Sequence, residues 1–175
     1  MMTKMWGVAA VAAVAGAASG AIFFEVESND TLGTANDLGS FGEPGDGIVV
    51  DGYLTSGDVD WFCFTLTDNA TMVVAALFDM NPDQDNDAIL GLFDSTGTEL
   101  IVDDDEGIDL MPALQYANLA AGTYYLAVSG YPDFTFEGEH EESMMYKLVI
   151  GLNIPTPGAL AALGLGGLAA TRRRR

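Results

Sequence analysis

Between residues 48 and 152 the chain alternates short apolar runs with clusters of Gly, Asp, Asn and Pro. The runs cover 48–54, 59–67, 71–78, 88–93, 98–102, 113–118, 123–129 and 144–152. Their lengths and spacing predict about eight β-strands in an all-β sandwich. Several runs have a period of two, as a strand with one buried face requires. Phe62, Phe64 and Leu66 share one face, and Trp61, Cys63 and Thr65 the other. Tyr124, Leu126 and Val128 likewise oppose Tyr125, Ala127 and Ser129. Asp94-Ser95-Thr96-Gly97 and Ala120-Ala121-Gly122 put glycine where a reversal between strands favours positive φ. Only 31–38 reads as helical, one or two turns capped by Asn29 or Asp30. With no internal repeat or linker, 22–153 forms one domain.

The two ends have a different character. Lys4 precedes the uncharged apolar stretch 6–18, and Ser19-Gly20-Ala21 places small residues at −3 and −1 of a cut after Ala21. This predicts a secretory signal peptide over 1–21, too short to span a bilayer, and hence a substrate of signal peptidase. At the other end, Pro155-Thr156-Pro157 is followed by twelve apolar residues, 159–170, and then by Arg172, Arg173, Arg174 and Arg175. The arginines would hold that end on the cytoplasmic side of a membrane. The tripartite segment 154–175 resembles the PEP-CTERM sorting signal, with Pro-Thr-Pro in place of Pro-Glu-Pro. The resemblance implies an apolar sorting helix, transient membrane anchoring, and cleavage near the Pro motif by an exosortase-type enzyme. It also implies release or attachment at the cell surface, outer envelope or extracellular space.

Charge sharpens this picture. The formal charge of the 175 residues is −20, and all 26 acids lie in 25–142 with Lys147 the one basic residue of the middle. Such a field repels nucleic-acid phosphates and attracts divalent cations.

Five motifs in order, Glu25-Val26-Glu27-Ser28-Asn29-Asp30, Ala35-Asn36-Asp37-Leu38, Gly57-Asp58-Val59-Asp60-Trp61-Phe62, Leu90-Gly91-Leu92-Phe93-Asp94-Ser95-Thr96-Gly97 and Ala121-Gly122-Thr123-Tyr124-Tyr125, resemble the bacterial pre-peptidase C-terminal domain. The resemblance implies a jelly-roll-like antiparallel sandwich. Members accompany secreted proteases and collagenases, and some bind calcium and collagen. No catalytic domain accompanies it in these 175 residues.

Glu25, Glu27, Asn29 and Asp30 concentrate four oxygen-bearing side chains, and Asp58 and Asp60 add two at the start of a strand. Ca²⁺ takes six to eight oxygens, and crowded carboxylates need a cation to neutralise them. The family resemblance implies calcium at the Glu-x-Glu-x-Asn-Asp stretch, making these six the first candidate Ca²⁺ site. A solvated acidic strand is the plain alternative. A second, weaker candidate joins Asp79 to Asp83, Asp85, Asp87 and Asp94. From Asp83 the last four follow EF-hand positions one, three, five and twelve, but Ala88 replaces the glycine at six and Asp94 the final glutamate. Asp103-Asp104-Asp105-Glu106 reads as a solvated turn able to close either site.

Catalytic chemistry is thinly represented. The only His, His140, lies in an acidic loop and reads as exposed, with the carboxylates around it favouring its protonated form. The only Cys, Cys63, reads as a buried structural thiol. No nucleophile elbow, His-Glu-x-x-His or phosphate-cradling loop occurs. No carboxylate pair stands out with a raised pKa. Tyr131, Phe134 and Phe136 could form an exposed patch, although a short extra strand with one face buried fits Phe134 and Phe136 better.

The expectation is an exported, non-catalytic, calcium-binding sandwich acting in adhesion or association with extracellular polysaccharide or matrix protein. The competing readings are a secreted carbohydrate-active hydrolase using paired carboxylates and a purely structural surface coat protein.

Overall fold

The computed structural model describes residues 20–81 and 84–154. The signal segment up to residue 19, Asp83, Pro155, Thr156, Pro157, the apolar segment 159–170 and Arg172 to Arg175 lie outside the described residues. Among the described residues no helix is long and apolar enough to cross a membrane.

In the described residues ten strands form two five-stranded sheets packed as a sandwich. They are β1 (Gly20–Phe24), β2 (Asn36–Phe41), β3 (Gly47–Leu54), β4 (Asp60–Leu66), β5 (Ala70–Asp79), β6 (Ala88–Phe93), β7 (Glu99–Asp103), β8 (Ala113–Leu119), β9 (Gly122–Gly130) and β10 (Met144–Asn153). Sheet one runs β1-β3-β10-β5-β8 and sheet two runs β2-β4-β9-β6-β7. All eight apolar runs are strands. The two additional strands, β1 and β2, each add a parallel edge to one sheet, whereas the other pairings are antiparallel.

The predicted helix at 31–38 is replaced by a single 3-10 turn, Leu32–Thr34, after which β2 begins. The turn is closed by Thr31, not Asn29 or Asp30: Thr31 N–H donates to Thr34 Oγ1 at 3.1 Å. The helical appearance had a physical source. The β2–β4 register shifts between Asp37 and Ser40, and Gly39 has φ of 94°. That bulge lets Leu38 and Phe41, three apart, both be buried, which imitates helical spacing. Both turn expectations hold: Gly97 has φ of 79° and Gly122 φ of 157°, with Asn118, φ 61°, a further left-handed residue near the end of β8.

The main core lies between the sheets, where Phe62, Phe64, Leu90, Leu126 and Leu148 are fully buried. The predicted alternation in β4 holds, with a correction to what its second face meets. Trp61 is buried under a loop on the outside of sheet two, in a cluster with Val59, Ile89, Phe93, Ala127 and Phe136. Its ring lies 4.9 Å from Phe93 and 6.2 Å from Phe136, centroid to centroid. Cys63, on the same face, is half-buried between Asp37 and Tyr125 in the ladder. Burial, followed by the charge of Asp37, pushes its thiol up.

The covering loop joins β9 to β10. Phe134 and Phe136 do not form a strand there: Phe136 alone is buried, while Phe134 is exposed with its ring 6.0 Å from that of Tyr131. Asp133 holds the loop, accepting from Ser129 Oγ at 2.8 Å, Thr135 Oγ1 at 3.0 Å, Gly138 N–H at 2.8 Å and Glu137 N–H at 3.2 Å. Burial alone would raise the Asp133 carboxyl, but these donors outweigh it and hold it below the usual range.

Candidate metal centre

The chain leaves sheet one after β1 and enters sheet two at β2, and leaves sheet one again after β3 to enter at β4. Because β1 and β3 are parallel neighbours, both crossings occur at one end of the sandwich. Residues 25–30 occupy the first crossing and 55–59 the second. This is why two short motifs far apart in sequence meet.

All six residues of the first candidate site are gathered there. Carboxylate oxygens of Glu25, Glu27 and Asp60 lie within 4.8 Å of one another, as do those of Glu27, Asp30 and Asp58. Glu27 belongs to both groups, so the cluster is an inner and an outer triad sharing one carboxylate. The outer triad opens into a shallow cleft of about 430 Å³ lined also by Ser28, Thr55 and Gly57. The inner triad runs inward from exposed Glu27 through half-buried Glu25 to Asp60, which is fully buried, as is Asn29 beside it.

Backbone and side-chain contacts fix these groups. Asn29 C=O accepts from Trp61 N–H at 3.0 Å, stitching the first crossing onto β4. Its amide nitrogen donates to Glu25 Oε1 at 3.2 Å and to Trp61 C=O at 3.4 Å. Glu25 Oε2 accepts from Tyr53 N–H at 2.7 Å, and Asp58 Oδ2 from Thr55 N–H at 3.3 Å. Asp60 Oδ2 accepts from Tyr146 O–H at 2.6 Å. Two oxygens are left over: Asn29 Oδ1 and Asp60 Oδ1 are buried with no hydrogen-bond partner.

An orphaned buried oxygen costs about 1–3 kcal/mol, and a charged one more. The electrostatics show the same strain. Burial, then the neighbouring Glu25, drives the Asp60 carboxyl up to about 10. Burial, then the charges of Asp58 and Glu25, raises Glu27. The Tyr146 hydroxyl, fully buried beside Asp60, is pushed well above its ordinary value, first by burial and then by that charge. Every donor in the cluster is a hard oxygen, a set suited to Ca²⁺, Mg²⁺ or Mn²⁺ rather than to zinc or copper. A cation among these carboxylates would offset their mutual repulsion and the cost of ionising the buried Asp60, so the residues fit one.

Raised carboxylates therefore do stand out, contrary to the sequence reading. However, Asp60 lies wholly beneath the surface, where no glycosidic bond reaches it.

Among the described residues, the second candidate does not assemble. Asp87 precedes β6 and Asp94 follows it, so an extended strand puts them about 23 Å apart. Asp94 instead caps the β6–β7 turn, accepting from Thr96 and Thr98 N–H at 2.8 and 3.0 Å, and these bonds hold its carboxyl low. Asp79 accepts from Asn81 N–H and Asn86 Nδ2, and Asp85 is exposed. Asp87 is raised first by burial and then by Glu142, Asp104 and Asp105, which places the acidic turn after β7 near it. Asp103 Oδ2 itself accepts from Glu106 and Ala113 N–H.

His140 is also corrected. It is buried, with Nε2 2.7 Å from Asp58 C=O and Nδ1 accepting from Glu142 N–H at 3.1 Å. Through these two contacts the ring ties the second crossing to the chain just before β10. Tyr146 and His140 were not legible as partners of the site, since they lie 86 and 82 positions from Asp60 and Asp58. The one available signal was a tyrosine on the inward face of an apolar strand, whose hydroxyl needs a buried partner. Gly52 makes room for that ring, as a Cβ there would collide with it.

No known family profile and no curated protein matches the sequence. Among solved structures, the chain is similar to the pre-peptidase C-terminal domain of a Bacillus anthracis collagenase, with TM-score 0.46 and 18% identity over 66% of this chain and 93% of that one. It is also similar to a periplasmic inhibitor of g-type lysozyme from Aeromonas hydrophila, with TM-score 0.42 and 16% identity over 67% of this chain and 99% of that one. A β-glucosidase from Paenibacillus barengoltzii matches 77% of this chain over 13% of its own length, with TM-score 0.34 and 9% identity. At these scores and identities the likenesses carry neither family membership nor function.

Proposed function

We propose that this chain is an exported, non-catalytic β-sandwich that binds Ca²⁺ between its two sheet crossings and acts at the cell surface or in the extracellular matrix, in adhesion or polymer association. The observation that carries the calcium assignment is the gathering of five carboxylates in two triads that share Glu27, one of them holding the fully buried Asp60, whose Oδ1 has no hydrogen-bond partner. The ion would join residues 25–30 to Asp58 and Asp60, fastening the N-terminal crossing to the body of the sandwich. Its chemistry is neutralisation and cross-linking.

Export rests on residues 1–21, and surface delivery on the Pro-Thr-Pro, apolar and arginine elements of 154–175. These features make signal peptidase and an exosortase-type enzyme the processing partners, with transient membrane anchoring through the C-terminal segment. Binding of purified extracellular polysaccharide or matrix protein, measured with Ca²⁺ and with chelator, tests the role. Calcium-dependent retention without product formation supports it. Release of oligosaccharide would favour the hydrolase, and no retention on any polymer would favour a coat protein.

A further inference from the structure

The outward face of sheet one has no part in the metal centre. Ile22, Phe24, Tyr53, Val74, Met145 and Val149 all point outward from it and are between 37 and 68% exposed. The cross-strand register places Ile22 beside Val49, Val49 beside Val149, and Val149 beside Ala76, so an apolar row crosses four strands. By strand alternation the only charged outward residues of the five strands are Asp51 and Lys147, which pair with each other. A neutral apolar face is therefore present on a domain with 26 acids. Contiguous exposed apolar surface of this kind marks an interaction site.

We propose that this face is the contact of a symmetric homodimer. The charge pattern selects a second copy as occupant. Lys147 is the only Lys or Arg among the described residues, so the faces around it are acidic and repel one another. A two-fold contact is self-complementary by construction, and with its axis passing between Asp51 and Lys147, neighbours in the register, it sets each Lys147 against the partner's Asp51 while apolar rows meet apolar rows. Size agrees. Five strands about 4.8 Å apart and averaging about eight residues give roughly 650 Å² per copy, or about 1,300 Å² in total. That lies at the lower end of standard stable interfaces.

Sedimentation velocity of the full chain, from about 1 µM to 1 mM, tests this. The expected result is a concentration-dependent monomer–dimer equilibrium. Val149→Glu changes an already solvent-facing side chain and should weaken association about a hundredfold or more, because it sets like charges together in an apolar contact. Asp51→Lys and Lys147→Asp should each weaken it, and the double exchange should restore it. Circular dichroism melts check that each variant remains folded. A monomer at every concentration overturns the proposal. So does association indifferent to Val149→Glu, as expected of contact through the terminal segments, or a monomer that loses polysaccharide binding in that variant, which would assign the face to polymer.

Discussion

Replacing Asp60 by Asn should have opposite effects with and without calcium. In the ion-free protein the buried carboxyl titrates at about 10 in the native state against 3.8 as the ordinary value. Between those values the native state holds a proton that the unfolded chain has released, so stability falls as pH rises through that window. At pH 7 the accumulated loss is about 4 kcal/mol, from ~3.2 pH units at 1.36 kcal/mol each. Asn carries no proton to hold. Its oxygen can keep the Tyr146 O–H bond, and its amide can donate to the adjacent Glu25 carboxylate. In chelator the variant should therefore be more stable by about 2–4 kcal/mol, raising the midpoint by roughly 6–15 °C for a sandwich of this size. Calcium reverses the balance, since Asp60 then ionises onto the ion, and a ligand at about 1,000 times its dissociation constant adds about 4.1 kcal/mol to the wild type. Differential scanning calorimetry at pH 7 in chelator, in millimolar Ca²⁺ and in NaCl of equal ionic strength resolves the two terms. If Asp60→Asn lowers the midpoint equally in all three, Asp60 is a structural acid with no ion to serve, and the reasoning fails.

The outer aromatic cluster gives a second test: Trp61→Ala should cost roughly 3–5 kcal/mol, read as a fall in melting temperature, and an unchanged midpoint would show that the loop does not bury the ring. A third concerns His140, whose replacement by Ala frees Asp58 C=O and should weaken Ca²⁺ binding more than His140→Asn, which keeps a donor; equal affinities for the two variants would remove it from the site's support. The ends supply a fourth: protein recovered from the producing cells should begin at or near Ile22 and lack Arg172 to Arg175 by mass spectrometry, and an intact arginine tail on secreted material would end the sorting reading. A cut after Ala21 leaves Ile22–Phe24 of β1 paired to β3.

The strands were legible where burial is one-sided and local. The period of two survives most clearly in β3 and β10, whereas β6 is buried at every position and was legible as a continuous apolar run. β2 was obscured because its bulge at Gly39 brings Leu38 and Phe41 to one face at helical spacing. β1 was obscured because Gly20 and Ala21 also complete a signal-peptide pattern. The first acidic cluster was legible because its residues come from two short motifs on adjacent crossings. The Asp83 to Asp94 spacing misled because a helical loop and an extended strand read the same in sequence, and only the strand carries Asp94 away. Burial of Trp61 by Phe136, and of Asp60 by Tyr146, depends on chain that returns from far downstream, which no local pattern reports.

The central claim is a specific Ca²⁺ site at the crossings, and calorimetric titration of Ca²⁺ into the full chain at fixed ionic strength tests it most directly. The account predicts saturable binding that Glu27→Gln with Asp30→Asn abolishes, because Glu27 is shared by both triads, and that Asp87→Asn with Asp94→Asn leaves unchanged. Binding that survives the first pair of substitutions, or heats no different from those of NaCl, would contradict it.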